Sequence, residues 1–307
     1  MSTVLISHPA CRRHDMGSAH PECFQRLDVV TDMLMTLRVL DMLAHFDAPK
    51  VTREQLLRVH KSGYLDYLEE ILPENGYINI DLDTRMNPQT LKAAEYAAGS
   101  VVMAVEMVMA GQAKNAFCGI RPPGHHATSD TAMGFCFYNN VAIGAAHALA
   151  EYGLERVAII DFDVHHGNGT DEIFNGNENV KLFSLYQKGL FPYADGGQPD
   201  GAGVYIEMPG GAGGPDLRAA VERDWLPELE AFRPELVMVS AGFDAHLQDE
   251  ISDMLLSDAD YQWLTDMCLD VAERHADNRL VSVLEGGYDL DSLARCTASH
   301  IKQLANL

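Results

Sequence analysis

The chain has 307 residues, 47% of them hydrophobic, and carries 22 Lys+Arg against 45 Asp+Glu for a net charge of −23. This acidity argues against a nucleic-acid partner, since phosphate binding draws its affinity from Lys and Arg; it permits a cationic ligand, and solubility or salty surroundings account for it equally well. No stretch approaches the roughly 18 to 20 consecutive apolar residues of a membrane span, and Met1-Ser2-Thr3-Val4-Leu5-Ile6-Ser7-His8 lacks a basic region ahead of an apolar one, so a cytoplasmic protein without membrane contact is expected.

In chain order, a short apolar run over 4–6 predicts a first strand. Leu27, Val30, Leu34, Leu37 and Leu40 then recur at helical spacing and form one apolar stripe. Asn87-Pro88 reads as an N-cap followed by Pro at the first helical position, opening a helix through Ala93, Ala97, Val101, Ala104 and Val108 to Gly111. Further apolar runs over 116–118, 157–160, 180–186, 236–240 and 280–284 predict strands, and Ser257 caps a helix through Tyr261, Leu264, Cys268 and Val271. Strands without polar alternation are covered on both faces, the mark of a parallel sheet. No linker, repeat or low-complexity run interrupts the chain. The expected fold is therefore α/β: a single domain over 1–307, doubly wound, with a mainly parallel sheet flanked by helices. The six cysteines, Cys11, Cys23, Cys118, Cys136, Cys268 and Cys296, form no CxxC pair and read as reduced, mostly buried thiols.

In open α/β sheets the chemistry lies beyond the carboxyl ends of the strands. Four predicted strands end there in polar or Gly-rich segments: Arg121-Pro122-Pro123-Gly124-His125-His126, Asp161-Phe162-Asp163-Val164-His165, Ala241-Gly242-Phe243-Asp244 and Glu285-Gly286-Gly287-Tyr288. Alternate residues of an extended segment share a side, so Asp161, Asp163 and His165 point one way and Phe162 and Val164 the other. Two carboxylates and an imidazole so crowded call for a cation or hydrogen-bond partners. Asp163, His165 and Asp244 would supply three metal ligands with a position left open. Oxygen-rich ligation points to zinc less strongly than a Cys/His set would and leaves iron, cobalt or manganese open; the other reading is a solvated acidic strand end. His125-His126, stiffened by the prolines, offers a base for a metal-assisted water, with Asp161 behind one ring to fix its tautomer. Tyr288 after two glycines could donate to an oxyanion or be structural. Gly134-Phe135-Cys136 and Leu190-Phe191-Pro192 place aromatics in loops, as a tunnel wall or as loop packing.

Together these segments resemble the arginase/deacetylase superfamily and, within it, the histone deacetylases and acetylpolyamine amidohydrolases. The resemblance rests on His20-Pro21-Glu22, Asp81 through Thr84 to Ala98-Gly99, RPPGHHA at 121–127, GFCFYNNVAIGA at 134–145, DFDVHHGNGT at 161–170, SAGFDAH at 240–246 and EGGY at 285–288, in the family's order. It implies zinc (Zn2+, with Fe2+ or Co2+ as substitutes) on Asp163, His165 and Asp244. His126 matches the general base and later acid, His125 its charge-stabilising partner, Asp161 the carboxylate behind His125, and Tyr288 the group that polarises the amide carbonyl. Phe135 and Phe191, with Gly134, match the tunnel around an alkyl chain ending in N-acetyl, and Asp83 a rim carboxylate. Potassium (K+) is implied near Asp161, Asp163, His165, Ser184 and Leu185. Asn168 follows the pattern of class II deacetylases and polyamine enzymes. Asp249-Glu250 stands where many relatives have Asp-Pro, so Glu250 is an extra carboxylate near the mouth, either greeting a distal ammonium or simply solvated.

The implied activity is zinc-dependent removal of acetyl from a small cationic acetylated amine, an acetylpolyamine first. An acetyl-lysine peptide or a small acetylated metabolite is the nearest alternative. An arginase-like bimetal hydrolase and a non-catalytic binder are the others. The loop 12–21 is a candidate homodimer contact that would narrow the mouth.

Overall fold

The computed structural model describes residues 3–193, 199 and 201–307. Eight strands form one sheet and every pairing in it is parallel: β1 (Val4–Ser7), β2 (Ala44–Asp47), β5 (Asn115–Cys118), β6 (Val157–Asp161), β7 (Val180–Gln187), β8 (Val204–Met208), β9 (Leu236–Ala241) and β10 (Leu280–Leu284). β3 (Ile78–Asn79) and β4 (Arg85–Met86) make a separate antiparallel hairpin. The order across the sheet is β2-β1-β5-β10-β9-β6-β7-β8. Helices Thr90–Met109 and Asn140–Tyr152 pack on each other and on the sheet, while Gln25–Thr36, Leu290–Leu304 and Asp258–His275 form a second packed group, so helices flank the sheet as expected of the fold. β5, β6, β9 and β10 are buried along their whole length, which is why they read as unbroken apolar runs.

Three local expectations shift. The helix predicted from Asn87-Pro88 starts at Thr90, because the Asn87 carboxamide accepts from the Gln89 N–H and the Thr90 hydroxyl and shapes a turn ahead of it. It ends at Met109, just before Gly111 at φ +66°. The first helix stops at Thr36, and Leu37, assigned to its apolar stripe, is 51% exposed. Ser257 does open its helix: the Asp260 carboxylate accepts from the Ser257 N–H at 2.9 Å and hydroxyl at 2.7 Å, and the helix runs on to His275. β2 and β8 were not predicted; both lie at sheet edges, β2 with exposed or half-buried residues only and β8 with only Ile206 and Met208 buried, so neither carries a long apolar run. No cysteine is in a disulfide, and Cys23 alone among them is half-buried rather than buried.

Candidate functional site

The four strands whose ends carry the polar segments, β5, β10, β9 and β6, are neighbours at the centre of the sheet. That adjacency brings 121–126, 161–165, 241–244 and 285–288 to one edge. Asp161 closes β6 in register with Ser240 and Ser184, and the side chains of 161, 163 and 165 follow alternately. Phe162 turns the other way, its ring 6.0 Å from that of Phe243 and fully buried; such burial stabilises by about 1.5–3 kcal/mol and anchors the run of ligands to the core.

Asp163, His165 and Asp244 are all buried, and one donor atom from each lies within 4.8 Å of the others. His165 Nδ1 stands 3.0 Å from Asp163 Oδ1 and 3.2 Å from Asp244 Oδ2. Backbone amides take part of the charge: Gly286 N donates to Asp163 Oδ2 at 2.8 Å and Val164 N to Asp244 Oδ1 at 2.9 Å. Asp244 Oδ2 is left buried with no hydrogen-bond partner. Burial would depress the His165 pKa, yet the two carboxylates lift it to about 10; burial and the Asp163 charge push Asp244 up to about 7. The trio thus has an unmet demand for positive charge, which a divalent cation satisfies while keeping the imidazole neutral. The residues fit a metal.

Beside them, His125 Nδ1 lies 2.9 Å from Asp161 Oδ2 and His126 Nδ1 2.8 Å from Asn168 Oδ1, with the two rings 4.0 Å apart. The partners separate the pair electrostatically. Burial lowers both, but Asp161 and Asp163 drive His125 well above its ordinary pKa, whereas burial and the charges of His125 and His165 hold His126 well below it. The surroundings thus favour the protonated form of His125 and the neutral form of His126.

Gly134 and Phe135 form a two-residue hairpin turn between Met133 and Cys136, both with positive φ (+54° and +68°). A Cβ at Gly134 would lie 2.5 Å from His126 Cδ2 and 2.8 Å from Phe191 Cε1, so only glycine lets this turn lie against the base. Phe135 pays for its left-handed backbone with about 1 kcal/mol or more of strain, and Thr84 Oγ1 accepts its N–H at 3.1 Å. Its ring meets those of Tyr288 (5.9 Å) and His20 (4.6 Å), and the Phe191 ring stands edge-on to His126 at 4.9 Å. Tyr288 is half-buried, and burial raises its phenol well above the ordinary value despite nearby Arg26.

Asp83 is exposed and lines a cavity of about 950 Å3 together with Phe135, His20 and the loop from Asp15 to Pro21. Glu250 is also exposed but lines a different hollow, of about 390 Å3, with Tyr288 and Asp289; Pro21 borders both. Asp249, the neighbour of Glu250, is buried and accepts from the amides of Tyr288 and Asp289. Ser184 lies beside Asp161 and bonds His166 Nδ1 at 2.9 Å, and Leu185 is the next residue of β7.

Several residues at the site went unassigned. Glu285 is fully buried, accepts from the amides of Gly124 (2.7 Å) and His125 (3.2 Å), and is raised to about 7 by burial. Arg26 donates to the carbonyls of Gly287 and Glu285, and Glu22 joins it to Arg121, all three buried. A signal for Arg26 existed: it shares a helix face with Val30 and Leu34, and a cation on an apolar stripe needs an explanation. For Asp249 there was none.

A histone deacetylase domain model matches residues 20–304. The chain is 38% identical to the histone deacetylase-like amidohydrolase of Pseudomonas aeruginosa, with 98% of this chain and 80% of that protein covered. It is 34% identical to a probable deacetylase of Archaeoglobus fulgidus, covering 95% of this chain and 82% of that one. The crystal structure of the HDA15 HD domain matches with a TM-score of 0.91 at 32% identity, over 99% of this chain and 88% of that one. Matched along its length by this domain, these sequences and this fold, the chain belongs to the histone deacetylase family of the arginase/deacetylase superfamily.

Proposed function

We propose that the whole chain forms one zinc-dependent deacetylase domain acting on acetylated polyamines, with the metal held by Asp163, His165 and Asp244. The observation that supports this best is the buried, under-compensated ligand trio next to two histidines whose pKa values their surroundings drive in opposite directions. When bound, the metal supplies Lewis-acid polarisation of the acyl carbonyl and lowers the pKa of water.

The side chains supply the rest. His126, its Nδ1 engaged by Asn168, has Nε2 to accept a proton from the attacking water and return it to the departing amine. His125, paired with Asp161, balances the negative charge that develops. The Tyr288 phenol, kept protonated by burial, donates to the acyl oxygen as it becomes anionic. Phe135, Phe191 and Gly134 enclose the alkyl chain and exclude water. Potassium near Asp161, Asp163, His165, Ser184 and Leu185 belongs to the same reading. Asp83 and Glu250, on either side of Pro21, favour a substrate with a distal ammonium, and the net charge of −23 draws cations rather than nucleic acid. A cytoplasmic setting and a homodimer contact through the loop 12–21 complete the proposal. Among the described residues, no helix is long and apolar enough to cross a membrane.

The mouth also displays Leu82, Phe24 and Tyr77, Leu82 with its side chain wholly exposed. This favours an acetyl-lysine peptide as the second reading. The two part in kcat/KM measured side by side for N-acetylspermidine and an acetyl-lysine peptide, with zinc-loaded protein at fixed salt. Preference for the polyamine is expected, with the double variant Asp83→Asn, Glu250→Gln losing more on the polyamine than on the peptide; preference for the peptide moves the protein to the lysine deacetylases. Tyr288→Phe and His126→Ala should each lower kcat by about 100-fold or more with zinc retained. Near-parental turnover in either would remove the mechanism.

A further inference from the structure

Tyr288 follows two glycines, the second at φ +117°. Such a turn leaves its peptide planes free to rotate unless something holds them, and a rotation here would carry the phenol with it. The Gly287–Tyr288 peptide group is in fact gripped at both ends. Arg26 Nε donates to the Gly287 carbonyl at 2.7 Å, and Asp249 Oδ2 accepts from the Tyr288 N–H at 2.6 Å and the Asp289 N–H at 3.1 Å. The Arg26 guanidinium also reaches the Glu285 carbonyl at 2.5 Å and stands 5.0 Å from the centre of the Tyr288 ring. Asp249 is buried, and its other oxygen accepts from the Ile251 N–H at 3.2 Å. This carboxylate is therefore spent on three backbone amides. That is an expensive way to fill space and an effective way to hold a peptide plane, since charge-assisted hydrogen bonds are the strong ones.

We propose that Asp249 is a positioning residue for Tyr288: with Arg26 it clamps one peptide group between opposite charges and thereby sets where the Tyr288 hydroxyl stands relative to Asp163, His165 and Asp244. The proposal rests on the reading of Tyr288 as the donor to the acyl oxygen. A carboxylate in this place would also stabilise the start of the helix Leu290–Leu304. The two roles separate cleanly. Helix stabilisation is lost whichever residue stands at 288, whereas positioning is lost only where there is a hydroxyl to position.

The test is a double-mutant cycle on the zinc-loaded full chain, scored on both acetylspermidine and an acetyl-lysine peptide. Asp249→Ala is expected to lower kcat by about 10- to 100-fold, as displacement of a reacting group by about 1 Å does, with KM within about twofold and zinc content unchanged. In a Tyr288→Phe background the same change should cost less than about twofold. An activity-free arm places 3-fluorotyrosine at position 288: one sharp fluorine resonance is expected with Asp249 present, and a broadened or doubled one in Asp249→Ala. This arm answers even if neither acetylated amine is turned over, an outcome that would sink the proposed function alone. Asp249→Leu, close in shape and unable to accept a hydrogen bond, replaces the alanine variant should that fail to fold. Parental kcat, an equal loss in both backgrounds, or an unchanged fluorine resonance overturns the clamp.

Discussion

Gly286 shows how little room surrounds the ligand trio. Its amide donates to Asp163 Oδ2 at 2.8 Å, and a Cβ there would overlap carboxylate oxygens of both Asp163 and Asp244. Gly286→Ala should therefore cost the metal before it costs the fold: elemental analysis should find well under half the parental zinc while the far-ultraviolet circular dichroism is preserved, and full zinc occupancy would refute the argument. Gly134→Ala meets a different neighbour. It would push on His126 and Phe191 at a backbone of φ +54°, so zinc should stay while kcat falls by about 100-fold; parental kcat would show that the turn yields. At this scale the residue types of the site were legible, because carboxylates and imidazoles at strand ends have few reasons to be there. Their neighbours' vetoes were not, since nothing in the string Glu285-Gly286-Gly287 says that Asp244 lies against it.

Between elements, the notable device is the chain of buried charges Arg121, Glu22 and Arg26. Glu22 Oε2 accepts from Arg121 Nη2 at 2.6 Å and Oε1 from Arg26 Nη1 at 3.2 Å; Arg121 also reaches the carbonyls of Cys11 and His14 at 3.0 and 3.2 Å. Burial would raise the Glu22 pKa, but the guanidiniums hold it at about 2. The N-terminal loop, the helix Gln25–Thr36 and the segments bearing His125-His126 and Tyr288 are thereby tied together. Glu22→Gln strands two buried cations, and breaking such a network should cost about 3–5 kcal/mol; the urea midpoint reads this, and an unchanged midpoint would show the cations are compensated elsewhere. Since the folded pKa of Glu22 is depressed, its contribution is complete above the ordinary value near 4.5 and is lost as pH falls through about 2.

Over the whole molecule, acid sensitivity has a second source. Burial lowers His14 and His60 to about 4 and His300 to about 3. Their hydrogen-bond partners are neutral, His14 Nδ1 meeting the Thr90 hydroxyl at 2.9 Å, His60 Nδ1 the Thr128 carbonyl at 3.0 Å, and His300 the hydroxyls of Thr265 and Ser282, both at 2.8 Å; for His14 burial outweighs the Glu22 carboxylate 3.4 Å from its Nε2. An unfolded chain protonates these imidazoles near 6.5, the folded one not until about 4 or below. The contribution of these three imidazoles is therefore complete above pH 6.5 and declines as pH falls toward 4, by up to about 4 kcal/mol per pH unit if all three protons are taken up on unfolding, while the buried Asp244 and Glu285 carboxyls, raised to about 7, act in the opposite sense over the same range. Urea midpoints between pH 7 and 4.5 record the net slope, and His300→Gln should reduce the number of protons taken up on unfolding by about one. The same slope in His300→Gln as in the parent would contradict it.

The sequence alone determined what depends on near neighbours along the chain. Unbroken apolar runs encode burial on both faces, so the parallel sheet and its four buried central strands were legible, as was the alternation that gathers Asp161, Asp163 and His165 on one side. The edge strands β2 and β8 were not, because exposed edges need no apolar pattern. Tertiary structure alone decided the order that seats β5, β10, β9 and β6 side by side, and with it the distances at which the side chains of the site stand from one another. It also decided that Asp249 turns inward while Glu250 stays in solvent. The reason is physical: periodicity along a chain records how much of each residue is buried, whereas the partner of a buried charge is set by contacts between segments far apart in sequence.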